Sequence, residues 1–155
     1  MKKTLPAVLL SLAALSPLSA VAADRLVRFE GGIGEMPLSN ATTPNVVRGV
    51  SPGGQPWVIS SLSADVSTDG RINVDGRGLL LAGGDGMATN GAQSVRARLV
   101  CGGVASDSDL VVLQPNGDFT INGALIPTPP APCTSPVLLI INAGGRWFAA
   151  GIPKP

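Results

Sequence analysis

The chain contains no histidine and no tyrosine among its 155 residues. Those two absences remove the commonest general base, Ser-His-Asp and Cys-His catalysis, and histidine metal sites. Lysine is almost as scarce. Beyond Lys2 and Lys3 the one lysine is Lys154, beside the carboxyl end, which leaves nothing for a Ser-Lys dyad in the body of the chain. Aromatic residues make up 3% and charged residues 14%. Sugar sites generally want aromatic platforms, and the material for them is thin. The only cysteines are Cys101 and Cys133. If they bond to each other, thiolate chemistry is excluded too.

The amino end supplies what the composition lacks, namely an address. Met1-Lys2-Lys3, an apolar run from Leu5 to Leu18 and Ala20-Val21-Ala22-Ala23 before Asp24 have the order of a secretory signal peptide. Pro6 and Pro17 interrupt the run, which is too short for a membrane span. Residues 1–23 are therefore expected to be a cleavable signal and residues 24–155 a single domain. Cleavage after Ala22 and after Ala23 are both open. No cysteine near that point offers a lipid anchor, and no twin arginine precedes the run. Losing Lys2 and Lys3 leaves nine cationic against ten acidic side chains, a formal charge of −1. Bulk charge of that size attracts neither nucleic acid nor anionic lipid. The expected location is secreted or periplasmic, the two not being separable from sequence.

In an exported chain, Cys101 and Cys133 are expected to form a disulfide; two separate buried thiols are the competing reading. Closing a loop of about 32 residues would stabilise the fold by roughly 3.5 kcal/mol in the chain-entropy account. Abundant glycine and proline, sparse charge and frequent valine, isoleucine and leucine predict many short strands joined by tight turns.

The pattern along the chain predicts a first strand over Asp24–Phe29, broken by Gly31-Gly32-Ile33-Gly34, and a polar loop over Glu35–Pro44. Within it, Asn40-Ala41-Thr42 is a glycosylation sequon, which implies exposure. Asn45–Val50 reads as a short edge strand. From Trp57 on, Leu62, Ala64 and Val66 precede Thr68-Asp69-Gly70, and Ile72 and Val74 follow. A three-residue loop with Gly70 left-handed pairs Val66 with Ile72 and Ala64 with Val74, which keeps the apolar side chains on one face. The same grammar around Pro115-Asn116-Gly117 predicts a second hairpin, with Leu113 facing Phe119 and Val111 facing Ile121. Ser94–Cys101 should turn Val95, Ala97, Leu99 and Cys101 inward and Arg96 and Arg98 outward. Val137–Ile141 is apolar on both faces, as a central or partner-covered strand would be. It turns through Ala143-Gly144-Gly145 into Trp147-Phe148-Ala149-Ala150, and Pro153-Lys154-Pro155 reads as a tail. The fold expected is all-β: an immunoglobulin-like antiparallel β-sandwich of about seven strands, with a small β-barrel as the alternative.

Five patterns in the chain bear on chemistry. Asp107 with Asp109, or Glu30 with Glu35, would be a carboxylate pair for glycoside cleavage, but neighbouring acids in turn-rich segments are usually solvated. Asp65 to Gly76 has acids at the first and fifth places of a calcium loop and glycine at the sixth. Its twelfth place, however, is Gly76 and not a bidentate glutamate. Gly83-Gly84-Asp85-Gly86 lacks the Gly-Lys-Ser/Thr of a phosphate cradle. Trp57 and Trp147 lie inside apolar strand patterns and read as packing. Arg71, Arg77, Arg96 and Arg98 would form a cationic stripe were Asp75 not among them. No metal site, catalytic residue or cofactor is assigned.

Val46-Val47-Arg48-Gly49, Pro52-Gly53-Gly54-Gln55-Pro56-Trp57, Gly76-Arg77-Gly78-Leu79-Leu80-Leu81-Ala82-Gly83 and Val95-Arg96-Ala97 leading to Cys101 carry a resemblance. Asn116-Gly117-Asp118-Phe119, Pro132-Cys133-Thr134-Ser135-Pro136-Val137 and the closing Trp147-Phe148-Ala149-Ala150-Gly151 extend it over most of the chain after the signal. In these the chain resembles an uncharacterised family of small secreted bacterial proteins with a two-cysteine β-domain. The resemblance implies an exported, disulfide-bonded domain and carries over no functional residue. The expected function is thus an exported, non-enzymatic binding or structural module of the cell envelope or extracellular space. A carboxylate-based hydrolase or lyase and a calcium- or sugar-dependent adhesion module are the alternatives. If a partner exists, it is expected to be an envelope or extracellular protein meeting Val137, Leu139, Ile141, Trp147 and Phe148.

Overall fold

The computed structural model describes residues 23–155, so the expected signal lies outside the described residues except for Ala23. Every regular element among them is a strand: β1 (Arg25–Gly34), β2 (Trp57–Val58), β3 (Ser61–Ser67), β4 (Arg71–Arg77), β5 (Leu80–Leu81), β6 (Ser94–Cys101), β7 (Val104–Asp107), β8 (Val111–Val112), β9 (Phe119–Ala124), β10 (Val137–Asn142) and β11 (Trp147–Lys154). Nine belong to one antiparallel sheet in the order β7-β6-β10-β11-β1-β3-β4-β9, with β8 also on β6; β2 and β5 pair separately. The all-β antiparallel fold is as expected, with more and shorter strands than seven. Asp107 and Ile126 exchange backbone hydrogen bonds of 3.0 and 2.9 Å, which ties the β7 end of the sheet to the residues just past β9. The sheet is thereby rolled into a nearly closed barrel whose opposite walls face each other across one main core.

The β3–β4 hairpin follows from alternation and turn chemistry together. Val66 lies opposite Ile72 and Ala64 opposite Val74, both pairs buried, while Asp65 and Asn73 share the outer face. Gly70 sits at φ +85°, and its N–H donates to the Ser67 carbonyl over 2.9 Å. An added Cβ there would meet Thr128 Cγ2 at 3.3 Å and the Leu125 carbonyl at 3.4 Å. Gly70→Ala should therefore cost about 1–2 kcal/mol, chiefly left-handed backbone strain, read as a lower urea midpoint with an unchanged slope.

On the next pair of strands, Gly76 lies opposite Phe119, and a Cβ on Gly76 would fall 2.2 Å from the Phe119 ring. The missing side chain is what lets that ring enter the core. The turn before it also forms as expected: Gly117 has φ +81°, and its N–H donates to the Gln114 carbonyl. Its flanks do not pair with each other. β8 pairs with β6 and β9 with β4, because a rolled sheet offers each flank a neighbour distant in sequence. The inward set survives this correction, since Leu113, Phe119 and Ile121 are buried and Val111 packs against them.

Three further expectations are corrected. The glycines after Phe29 do not end β1; they carry it to Gly34 through an irregularity between Phe29 and Gly32, with Gly31 at φ +95°. Glycine takes that bulged conformation without penalty. Asn45–Val50 is a turn instead of an edge strand, with Arg48 and Gly49 left-handed and Val47 and Val50 bonded to each other. Residues Pro153 and Lys154 belong to β11 and lie opposite Phe29 and Arg28. β10 pairs only with the first half of β11, so Pro153 sits where the strand has a neighbour on one side, which suits a residue without an N–H.

β10 is a central strand between β6 and β11. Leu138 and Ile140 enter the main core. Leu139 and Ile141 join Trp147 and Val50 in a second, smaller one. The cover over that second face is the chain's own segment: Val47 packs there, Trp147 N–H donates to the Ser51 carbonyl, and Trp147 Nε1–H donates to the Asn45 carbonyl at 2.9 Å.

Candidate functional site

Of the residues expected to form a partner surface, Leu139, Ile141, Trp147 and Phe148 are buried within the chain and Val137 is partly buried. Segment 45–53 already covers Leu139, Ile141 and Trp147, while Phe148 enters the main core, so these residues are packed within the chain. Cys101 and Cys133 are bonded, with Cα atoms 4.8 Å apart. The bridged pair is compatible with an oxidising, extracytoplasmic location.

The carboxylates are dispersed. Glu30 pairs with Lys154 on the barrel wall, which holds its carboxyl below the ordinary range. Glu35 lies five residues further along, about 16 Å away at strand spacing. That is beyond the roughly 5–9.5 Å over which two carboxyls cooperate in glycoside hydrolysis. Asp107 accepts two hydrogen bonds of 2.6 Å from Arg98, while Asp109 is exposed. Asp65 pairs with Arg25, and Asp69 with Arg71, each at 2.9 Å. No group of three or more His, Cys, Asp or Glu residues converges as a metal site among the described residues. Arg77 is held by Asp75 and Asp118, Arg71 by Asp69 and Arg98 by Asp107, and since β4 and β6 are not neighbours in the sheet the four arginines form no common stripe.

A groove of about 690 Å³ runs beside the Pro115-Asn116-Gly117 turn. Its charges are already used. Gly78 N–H, with Arg77 and Asn116, bonds the Asp118 carboxylate and keeps its pKa low.

A different situation holds at the end of the barrel where the β10–β11 turn, the small β2–β5 pair and residues 51–55 meet. β11 is bulged there, because Ile140 faces Ala149 while Ile141 faces Trp147, leaving Phe148 as the extra residue. The bulge turns Phe148 inward beside Ala149, and its ring stacks on Trp57 with centroids 4.1 Å apart and planes 15° from parallel. These aromatics form the floor of a cleft of about 340 Å³ whose rim includes Gln55, Gln93, Asn142 and Arg146. Asn142 organises the rim: its Oδ1 accepts from Arg146 N–H at 2.9 Å and its Nδ2 donates to Gln93 Oε1 at 3.2 Å. The Arg146 guanidinium has neither an acid nor a carbonyl partner, and among the described residues it is the one arginine in that position.

Behind Gly53 lies the least expected group in the molecule. Glu35 is 0% exposed. Its backbone is pinned on both sides: its N–H donates to Phe148 and its carbonyl accepts from Trp57, each over 2.9 Å. Neither carboxyl oxygen has a hydrogen-bond partner. A Cβ on Gly53 would stand 3.2 Å from Glu35 Oε2 and 3.1 Å from the Phe148 ring, so glycine lets the chain close over the carboxyl without crowding it. Burial raises the Glu35 pKa to about 7.

Sequence reasoning missed this constellation. Glu35 reads as a loop residue because the irregularity in β1 removes the two-residue period that would assign it a face. Gln55, Gln93 and the Asn142–Arg146 turn come from three separate stretches that share no spacing. The recurrent signal was the concentration of glycine at residues 31–34 and 53–54, which marks close backbone approach. Comparison of the chain with protein-family models, curated proteins and solved structures gives no match.

Proposed function

We propose that the chain is exported and acts outside the cytoplasm as a non-enzymatic binding module built on a disulfide-bonded β-barrel. The Cys101–Cys133 bridge carries this reading, because a disulfide persists in an oxidising compartment and is rare in a reducing one. The secretory pattern of residues 1–23 supports the same address, and the absence of histidine and tyrosine supports a role without proton-transfer chemistry. Binding is favoured over a purely structural role by the Arg146 cleft, where polar groups stand without partners from the chain. A carboxylate-based enzyme is disfavoured by the separation of Glu30 from Glu35 and by the arginine already held on Asp107. A calcium-dependent module is disfavoured because Asp65 and Asp69 are engaged by Arg25 and Arg71.

Fractionation with thiol labelling tests the reading. Protein recovered from the envelope or medium should begin at Ala23 or Asp24 and take up no thiol reagent after denaturation. Full-length protein in the cytoplasm with two reactive thiols would overturn it.

A further inference from the structure

We propose that the cleft at the β10–β11 turn is a binding site for a small organic anion: a carboxylate on an apolar, preferably planar, body. The proposal rests on the binding-module reading above and names its ligand class. Three observations carry it. Arg146 lines the cleft with an unengaged guanidinium, whereas the other arginines are turned to an acid or carbonyl of the chain. Next, no acidic side chain lines the cleft, and Glu35, behind Gly53, is separated from it by backbone.

The third observation is the direction of the amide groups. Gln93 Oε1 and Asn142 Oδ1 each accept one bond, from Asn142 Nδ2 and from the Arg146 backbone N–H. Gln93 Nε2 donates to the Gly91 carbonyl over 3.0 Å. Each of these oxygens keeps one lone pair, and Gln55 brings both an oxygen and an NH2 group, yet the free donors of the rim, the guanidinium above all, outnumber its free acceptors. A donor-rich rim around one cation suits a carboxylate, which accepts two parallel bonds from a guanidinium. The floor of Trp57 and Phe148 accommodates an apolar body, and about 340 Å³ is at the small end for organic ligands.

The test uses the full mature, oxidised protein with benzoate as probe and benzamide as its neutral isostere, read by calorimetry and tryptophan fluorescence. Benzoate should bind and benzamide should bind at least about tenfold more weakly, the loss expected for one charge-assisted contact. Arg146→Gln should abolish that preference without changing the melting temperature, since the guanidinium makes no intramolecular bond. Arg146→Lys should keep part of it, and Arg71→Gln, on the other hairpin, should leave it intact. Equal binding of benzoate and benzamide, an unchanged preference in Arg146→Gln, or no binding of either probe would each overturn the proposal. Failure here in a protein that is exported and free of thiols removes only the ligand assignment. Free thiols in cytoplasmic protein remove the reading beneath it.

Discussion

Opening the Cys101–Cys133 bridge should lower the melting temperature by about 10–15 °C. The bridge closes a loop of sequence separation 32, for which the loss of unfolded-state freedom is worth about 3.5 kcal/mol. In a domain of this size each kcal/mol corresponds to about 3–5 °C. Its position sharpens the expectation. Cys101 ends β6 inside the main core, and beside it Gly102 N–H donates to the Thr134 carbonyl at 2.8 Å. Between the two cysteines lie β7, β8 and β9, and with them the Asp107–Ile126 contact that brings the ends of the rolled sheet together. Reduced protein, or the Cys101→Ala/Cys133→Ala variant, should thus show faster amide exchange first at Asp107 and Ile126, with β3 and β4 protected until global unfolding. A shift of less than about 2 °C would mean that the unfolded loop is already constrained by other means.

The parts of this fold that were legible in sequence are those where local alternation and turn chemistry agree. Thr68-Asp69-Gly70 admits one register that keeps Leu62, Ala64, Val66, Ile72 and Val74 on one face, and that register is the one formed. β6 could be read because its inward and outward residues alternate without interruption as far as Leu99. The turn at Gly117 was legible too, yet the strand pairing beside it was not. Inward-facing Leu113 and Phe119 satisfy the same core whether their strands pair with each other or with β6 and β4, and only the closure of the sheet decides between these. Likewise, the two-faced apolar pattern of β10 announced burial on both sides but could not say that residues 45–53 of the same chain supply the second cover.

The candidate site was hardly legible at all. Glu35, Trp57 and Phe148 could each be named from sequence, but that they converge, with the acid buried, shows only once the irregularities in β1 and β11 are known. Bulges alter which face a residue takes, and they do so through backbone conformation that glycine permits but does not announce. Thus Gly53, Phe148 and Glu35 make sense as a set in space and not as a motif.

Glu35 leads to the second large effect. Its carboxyl has a folded pKa of about 7 against an ordinary value of 4.5, so the folded state holds the proton more tightly than the unfolded chain. Below about pH 4.5 both states are protonated and the group leaves stability unaffected. As pH rises toward 7 the unfolded chain releases the proton first, and stability falls; above 7 the loss is complete and stays constant. Its size is on the order of 3 kcal/mol at pH 8. Glu35→Gln carries no proton to release, so the stability of the variant minus that of the parent, from urea unfolding, should climb by that amount between pH 4.5 and 7 and be level on either side. Taking the difference cancels the opposing slopes of Glu30 and Asp118, whose carboxyls are held low by Lys154 and by Gly78 N–H.

The segments packed on Glu35 bring little charge to compensate. β2 and residues 51–55 have none, and β11 carries only Lys154, which is engaged by Glu30 at the far end; Arg146 stands just before it. A difference curve flat across this range would mean that the folded carboxyl titrates near its ordinary value, as it would with Arg146 drawn within reach of it. In that event Arg146→Gln would restore the slope. If the carboxyl instead stays buried beneath Gly53, its ionisation places a negative charge behind the cleft, and benzoate affinity should fall as pH passes through 7 in the parent but not in Glu35→Gln.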